Sequence, residues 1–200
     1  MKCAFCDINI TEELSFKNLF SKRDKYNLCK ECRTHLYIHE YNVENTKLYY
    51  FTDYEFIKKN IYRIKYFGDV LTAKKFKFLF DEFFKAYEFD LITVVPSNNT
   101  REIIRGYNHI EIICSLCDIK FTKTLTAKYR EKQAKLHTKR EKNNIYSLDN
   151  NNLKTNNIKK ILIIDDIFTS GNTLLSCYEE LKKYFVKSEI FFLTLALSKN

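Results

Sequence analysis

Proline and glycine are almost missing from these 200 residues, with one of the former and three of the latter, and tryptophan is absent. With Lys, Asn, Ile, Phe and Tyr abundant, that scarcity points to an AT-biased coding background, which removes residues read from GC-rich codons. A glycine that survives such a background marks a φ above zero or a close backbone approach. The three are Gly68, Gly106 and Gly171. Long apolar runs are also lacking. The longest, residues 161–164 and 191–197, fall far short of the roughly 20 residues of a membrane-spanning helix, so no helical span is expected. The opening residues, with Lys2, Cys3 and Cys6, contain no stretch resembling a signal peptide, and the chain is expected in the cytoplasm. Its seven cysteines are then thiols or metal ligands.

What is present favours one folded core. Hydrophobic residues form 45% of the chain and aromatic ones 16%, ample side-chain area to bury. The length suits one α/β core with a small appendage and is short for two large domains. Of the net charge of +9, residues 97–146 hold +6, from 11 Lys or Arg against 5 Asp or Glu. That concentration points to an anionic ligand, although solvated loops also collect lysine.

Residues 1–40 read as a metal-organised knot, and strand alternates with helix thereafter. Strand is expected at 47–52, 91–95, 161–164 and 190–197, and helix at 55–66, 71–88, 107–117 and 173–185. Within 71–88, Phe76, Leu79, Phe80, Phe83, Phe84 and Tyr87 form one face that should pack on a sheet. Residues 122–146 are polar, basic and without period, and read as a long loop. The order is βαβ with a largely parallel sheet.

The segment 162–173, LIIDDIFTSGNT, carries the strongest chemical signal. A fully apolar strand suits burial on both faces, and ligands of open α/β sheets bind at the carboxyl ends of such strands. Asp165 and Asp166 stand at that end. Thr169, Ser170, Gly171, Asn172 and Thr173 then offer hydroxyls and unpaired N–H groups at a helix start, which suits a phosphate monoester. Two carboxylates beside a phosphate cradle make sense only if they meet hydroxyls or a cation further along the ligand, and a ribose 5-phosphate has that layout.

This string resembles the phosphoribosyl pyrophosphate signature of the phosphoribosyltransferases. The resemblance implies Asp165 and Asp166 on the ribose hydroxyls, residues 169–173 on the 5-phosphate, and Mg²⁺ bound with the ligand. Four further stretches resemble one branch, the ComF-like competence proteins: the cysteine module; Lys65 with Gly68 and Asp69; residues 94–109; and Gln133-x-x-Leu136 followed by Arg140-x-x-Asn143. The third is a strand end with a loop holding Arg101, Arg105 and Gly106, placed to hold a second anion through rigid guanidinium forks. In the resemblance that anion is pyrophosphate; the other reading is two solvated loop arginines. His109 stands where the family usually has Gln, and residues 97–99 replace a more basic, Pro-bearing run. Residues 128–142 fit a loop closing over the ligand, with Gln133, Arg140 and Asn143 as its family-matching residues, or a plain Lys-rich loop.

Cys3-x-x-Cys6 and Cys29-x-x-Cys32 present two knuckles able to close a tetrahedral thiolate site, with structural zinc as the natural occupant. His35 and His39 are left outside it. Cys114 and Cys117 lie on one apolar helical stripe with Ile110 and Ile113, and with Cys177 they are expected in the core.

The expectation is therefore a type I phosphoribosyltransferase-like α/β domain over residues 41–200, preceded by a zinc-binding module over 1–40. Its partners would be phosphoribosyl pyrophosphate and, through the ComF resemblance, single-stranded DNA and the DNA-uptake machinery. The alternative is an active phosphoribosyltransferase that displaces pyrophosphate from C1 of the ribose in favour of a base or other small acceptor. No catalytic base is assigned.

Overall fold

The computed structural model describes residues 1–10, 25–97, 102, 103, 105–127, 146–149 and 157–198. Its centre is a five-stranded sheet of order β1-β2-β7-β6-β3. The strands are β1 (His39–Val43), β2 (Thr46–Asp53), β3 (Leu91–Val94), β6 (Lys160–Phe168) and β7 (Glu189–Leu197). Only the β1–β2 pair is antiparallel; β2–β7, β7–β6 and β6–β3 run parallel. This is the mixed α/β sheet that the element order implied. A separate hairpin pairs β4 (Leu125–Ala127) with β5 (Tyr146–Leu148).

Helix faces explain how the layers close. In α2 (Tyr54–Tyr66) Ile57, Ile61 and Ile64 are buried, at helical spacing. In α3 (Lys77–Ala86) Leu79, Phe80 and Phe83 are buried, and the Phe51 and Phe80 rings meet edge to face at 5.1 Å. These helices join α1 (Lys30–His35) and α4 (His109–Leu116) in one apolar cluster with Leu162, Ile164 and Leu193. On the other face α5 (Asn172–Tyr184) contributes Leu174, Cys177 and Leu181 to a second cluster with Ile161, Ile163 and Phe192. The four consecutive apolar residues 161–164 of β6 are 0–1% exposed. Each such side chain contributes about 1.5–3 kcal/mol by leaving water.

Several expectations need correction. The helix expected over 71–88 opens as a 3-10 segment, Val70–Phe76, and becomes α-helical only at Lys77. Strand β1 was not anticipated; its middle residues Glu40, Tyr41 and Asn42 are exposed, so it lacks an apolar signature. Residues 125–127, read as loop, form β4, and Tyr146 begins β5. Strand β6 runs past the acids to Phe168 rather than stopping at Ile164. Cys114, Cys117 and Cys177 are buried as expected, and desolvation pushes the Cys117 thiol up to about 12.

Candidate functional site

The acid pair sits where β6 outruns its neighbour. Pairing with β3 ends at Val94 and Ile164, closed by a 3.0 Å bond from Val95 N–H to the Ile164 carbonyl. Pairing with β7 continues to Phe168 and Leu197. Asp165 and Asp166 therefore belong to the strand but lie beside an open edge. Leu162 and Ile164 enter the cluster beneath α2 and α4, and Ile161 and Ile163 enter the one beneath α5. Alternation then sends Asp166 to the first face and Asp165 to the second.

Asp166 is 6% exposed, and its surroundings decide its charge. The Lys65 ammonium, from the last turn of α2, forms an ion pair with Oδ2. His109 Nε2, from the first residue of α4, lies 3.6 Å from Oδ1. Burial pushes this carboxyl up, but the imidazole and the ammonium outweigh it and hold the group below the usual carboxylate range. Asp165 behaves oppositely: burial, then the charge of Asp166, pushes it well above that range, although the Asp166 N–H donates to its Oδ1 at 2.9 Å. The pair thus holds one firm negative charge, matched by Lys65.

Arg105 Nη1 lies 3.1 Å from His109 Nδ1. A guanidinium only donates, so Nδ1 accepts and the imidazole hydrogen sits on Nε2, facing Asp166. The Arg105 guanidinium also stands 5.3 Å from the centre of the Tyr66 ring. Local structure fixes this loop. Gly106 adopts φ +79° and donates to the Glu102 carbonyl at 2.7 Å. The Tyr107 hydroxyl donates to the Ile64 carbonyl, and the Asn108 side chain caps α4 by accepting from Ile110 N–H at 3.0 Å. Lys65, Arg105 and His109 are thereby gathered beside Asp166. Arg101, Gln133, Arg140 and Asn143, and the basic run 128–142, lie outside the described residues.

The turn after β6 is built for approach. Thr169, Ser170, Asn172 and Thr173 are exposed, and Asn172 and Thr173 already belong to the first turn of α5. The leading N–H groups of a helix have no intrahelical acceptor, and here no side chain caps them. Gly171 at φ +75° shapes the turn, and a Cβ there would stand 2.7 Å from Cζ of Phe168. Two open grooves of about 430 and 510 Å³, both lined by Phe84 and Ile92, flank α3 and touch neither acid.

The four N-terminal cysteines converge. One sulfur from each of Cys3, Cys6, Cys29 and Cys32 lies within 4.8 Å of the others, and Cys6 and Cys29 Sγ are 3.6 Å apart. Four thiolates at the usual zinc distance of about 2.3 Å stand roughly 3.8 Å apart, so the set fits a tetrahedral ion. Backbone N–H groups support it, Cys29 donating to Cys3 Sγ at 3.3 Å and Cys32 to Cys29 Sγ at 3.4 Å. Although burial opposes it, such donors bring the Cys3 thiol down to about 6. The knot shares the main core: Phe5 meets Phe76 at 5.5 Å and Phe56 at 6.1 Å. His35 stacks on Phe56 at 4.5 Å, and His39 on Tyr50 at 4.6 Å, so both histidines are engaged apart from the sulfurs.

Comparison with known proteins gives the class first. The phosphoribosyl transferase domain family matches residues 105–199, the stretch from Arg105 through the acid pair to β7. Solved structures with a similar course include the xanthine-guanine-hypoxanthine phosphoribosyltransferase of Helicobacter pylori, at TM-score 0.36, 15% identity, and 74% and 77% of the two chains covered. The adenine phosphoribosyltransferase of Saccharomyces cerevisiae aligns at TM-score 0.35, 16% identity, and 85% and 87% covered. The family match includes the acid pair and the turn that follows it. Beyond the class, the chain is 24% identical over 208 aligned residues to Competence protein ComFC of Bacillus subtilis (strain 168), spanning 86% of this chain and 85% of that protein. The chain is thus similar to ComFC over most of its length, and its residues 105–199 match the phosphoribosyl transferase domain family.

Proposed function

We propose that this chain binds phosphoribosyl pyrophosphate at the open end of β6 and takes part in natural transformation as a cytoplasmic handler of single-stranded DNA. One observation carries the ligand reading: an acid pair, with Asp166 buried and held by Lys65 and with Arg105 close by on His109, is followed at once by an uncapped helix start. In this reading Asp165 and Asp166 accept from the ribose hydroxyls. The N–H groups and hydroxyls of Thr169, Ser170, Gly171, Asn172 and Thr173 hold the 5-phosphate. Arg105, the Gly106 backbone and Lys65 face the pyrophosphate, joined by Arg101 and by Gln133, Arg140 and Asn143 of the basic segment. Mg²⁺ arriving with the ligand would neutralise pyrophosphate charge and keep most of its waters. Cys3, Cys6, Cys29 and Cys32 hold a structural zinc that organises residues 1–40 ahead of the ligand-binding domain, 41–200.

Calorimetry with phosphoribosyl pyrophosphate and Mg²⁺ tests the site: Asp166→Asn should bind at least about tenfold more weakly, since its side chain keeps the shape but loses the charged acceptor. Equal affinity would refute it. The DNA reading rests on the likeness to ComFC and on the nine basic against two acidic residues over 120–142. It predicts oligonucleotide retention falling with salt at a slope of about 0.7 per phosphate contact, flattened when Lys128, Lys132, Lys135 and Lys139 become Ala. A chain that retains no oligonucleotide at low salt refutes it. Pyrophosphate release on adding a base would instead make the chain an active phosphoribosyltransferase.

A further inference from the structure

His109 is unexplained by that reading. Its Nε2 is sealed from solvent and has no hydrogen-bond partner among the described residues. Oδ2 of Asp166, by contrast, is matched by the Lys65 ammonium. Leaving a buried polar atom unsatisfied costs about 1–3 kcal/mol, which makes Nε2 a place where a ligand is missing. One ligand atom from each of His109, Asp165 and Asp166 lies within 4.8 Å of the others.

We propose that His109, Asp165 and Asp166 form a site for a divalent transition-metal ion, loaded without any phosphoribosyl ligand. Donor chemistry gives the class. One imidazole nitrogen and two carboxylates suit Mn²⁺ or Fe²⁺, whereas Mg²⁺ prefers oxygen alone. Two donors bound at about 2.1 Å stand roughly 3.0–3.4 Å apart for angles between 90° and 109°. The 3.6 Å between His109 Nε2 and Asp166 Oδ1 needs only a small adjustment. Asp165, whose side chain rests on the Asp166 N–H, supplies the third donor by rotating.

Loading has one structural consequence. Nε2 must present its lone pair to the ion, so the hydrogen moves to Nδ1, and Nδ1 can then no longer accept from Arg105. The ion therefore releases Arg105 from His109, leaving it against Tyr66 and free to meet an anion. The proposal shares the acid pair with the phosphoribosyl reading but does not rest on it, because every measurement below omits that ligand.

The test is Mn²⁺ titration of the zinc-loaded full-length chain, read by the loss of the free-ion electron paramagnetic resonance signal. Wild type should take up one Mn²⁺. His109→Gln should weaken uptake at least about tenfold, as loss of a direct ligand exceeds the 10–100-fold typical of supporting groups only in degree. Arg105→Ala should bind as tightly or more tightly, because nothing then opposes the change of tautomer. Zinc content and a melting curve establish that each variant is folded. Where His109→Gln fails to fold, Asp165→Asn substitutes for it with the same expectation. Absence of Mn²⁺ uptake by wild type up to millimolar concentration overturns the proposal. So does wild-type affinity in the ligand variant, or weaker binding in Arg105→Ala.

Discussion

Replacing Gly171 by alanine separates backbone strain from crowding at the turn that follows the acid pair. The residue adopts φ +75°, and an added Cβ would meet Phe168 at 2.7 Å (Cζ) and 2.9 Å (Cε2). The left-handed conformation alone costs a non-glycine residue about 1–2 kcal/mol. The clash adds to it, because Phe168 is 8% exposed and packed within the second apolar cluster, so its ring cannot swing into water. Overpacking of that kind costs about 1–3 kcal/mol, for a total of about 2–5 kcal/mol. At roughly 2–4 °C per kcal/mol for a domain this size, the midpoint should fall by about 4–20 °C in a thermal melt. Gly106→Ala is the internal control: its φ is +79°, but nothing lies within 4 Å of the added Cβ, so it should lose only the strain. Phe168→Leu should recover part of the Gly171→Ala loss in a double-mutant cycle. Equal losses at the two glycines, or full additivity with Phe168→Leu, would refute the crowding argument.

Three other outcomes follow from the site. Purified reduced chain should carry about one zinc, and Cys29→Ser should lose both the metal and thermal stability; metal analysis beside a melt checks this, since folding and structural zinc binding are linked. Asp165, with its folded pKa raised, stabilises the fold below the unfolded value and loses that contribution as pH climbs through the folded one. Asp165→Asn should therefore gain on wild type as pH rises above the unfolded carboxyl value, and a pH-independent difference in midpoint would contradict the assignment. Asp166 has the opposite sign, its folded pKa being depressed, so its contribution is present above the unfolded value and lost as pH falls. Asp166→Asn should flatten the acid limb of stability and, by stranding Lys65, destabilise at neutral pH by about 1–3 kcal/mol.

The segment from Ile161 to Thr173 was readable because several local rules agree there: an unbroken apolar run, paired acids and a turn ending in glycine. Helix α2 was readable through Ile57, Ile61 and Ile64 at one spacing, and the cysteine knuckles through theirs. The 3-10 turn Val70–Phe76 was not, because seven residues do not separate a period of 3.0 from one of 3.6. Strand β4 has three residues and exists by pairing with β5 about 20 positions away, so no local pattern announces it. His109 stood out only as a departure from a family pattern. Its place against Asp166 arises where the loop pinned to α2 by Tyr107 meets strand β6, and no sequence window contains both.

Helix α2 is held at both ends by different parts of the chain. Phe56, in its first turn, is covered by Phe5 and His35, while Lys65, in its last, grips Asp166. Thirteen residues of helix make a rod of about 20 Å between them. Cutting the chain at residue 40 would remove the Phe5 and His35 rings from Phe56, and Phe5 from Phe76, and leave the near end of the rod without its cover. Anyone trimming this protein for crystallisation or fusion should therefore keep the first ten residues and the 25–35 stretch, since they set the alignment of a lysine they never touch.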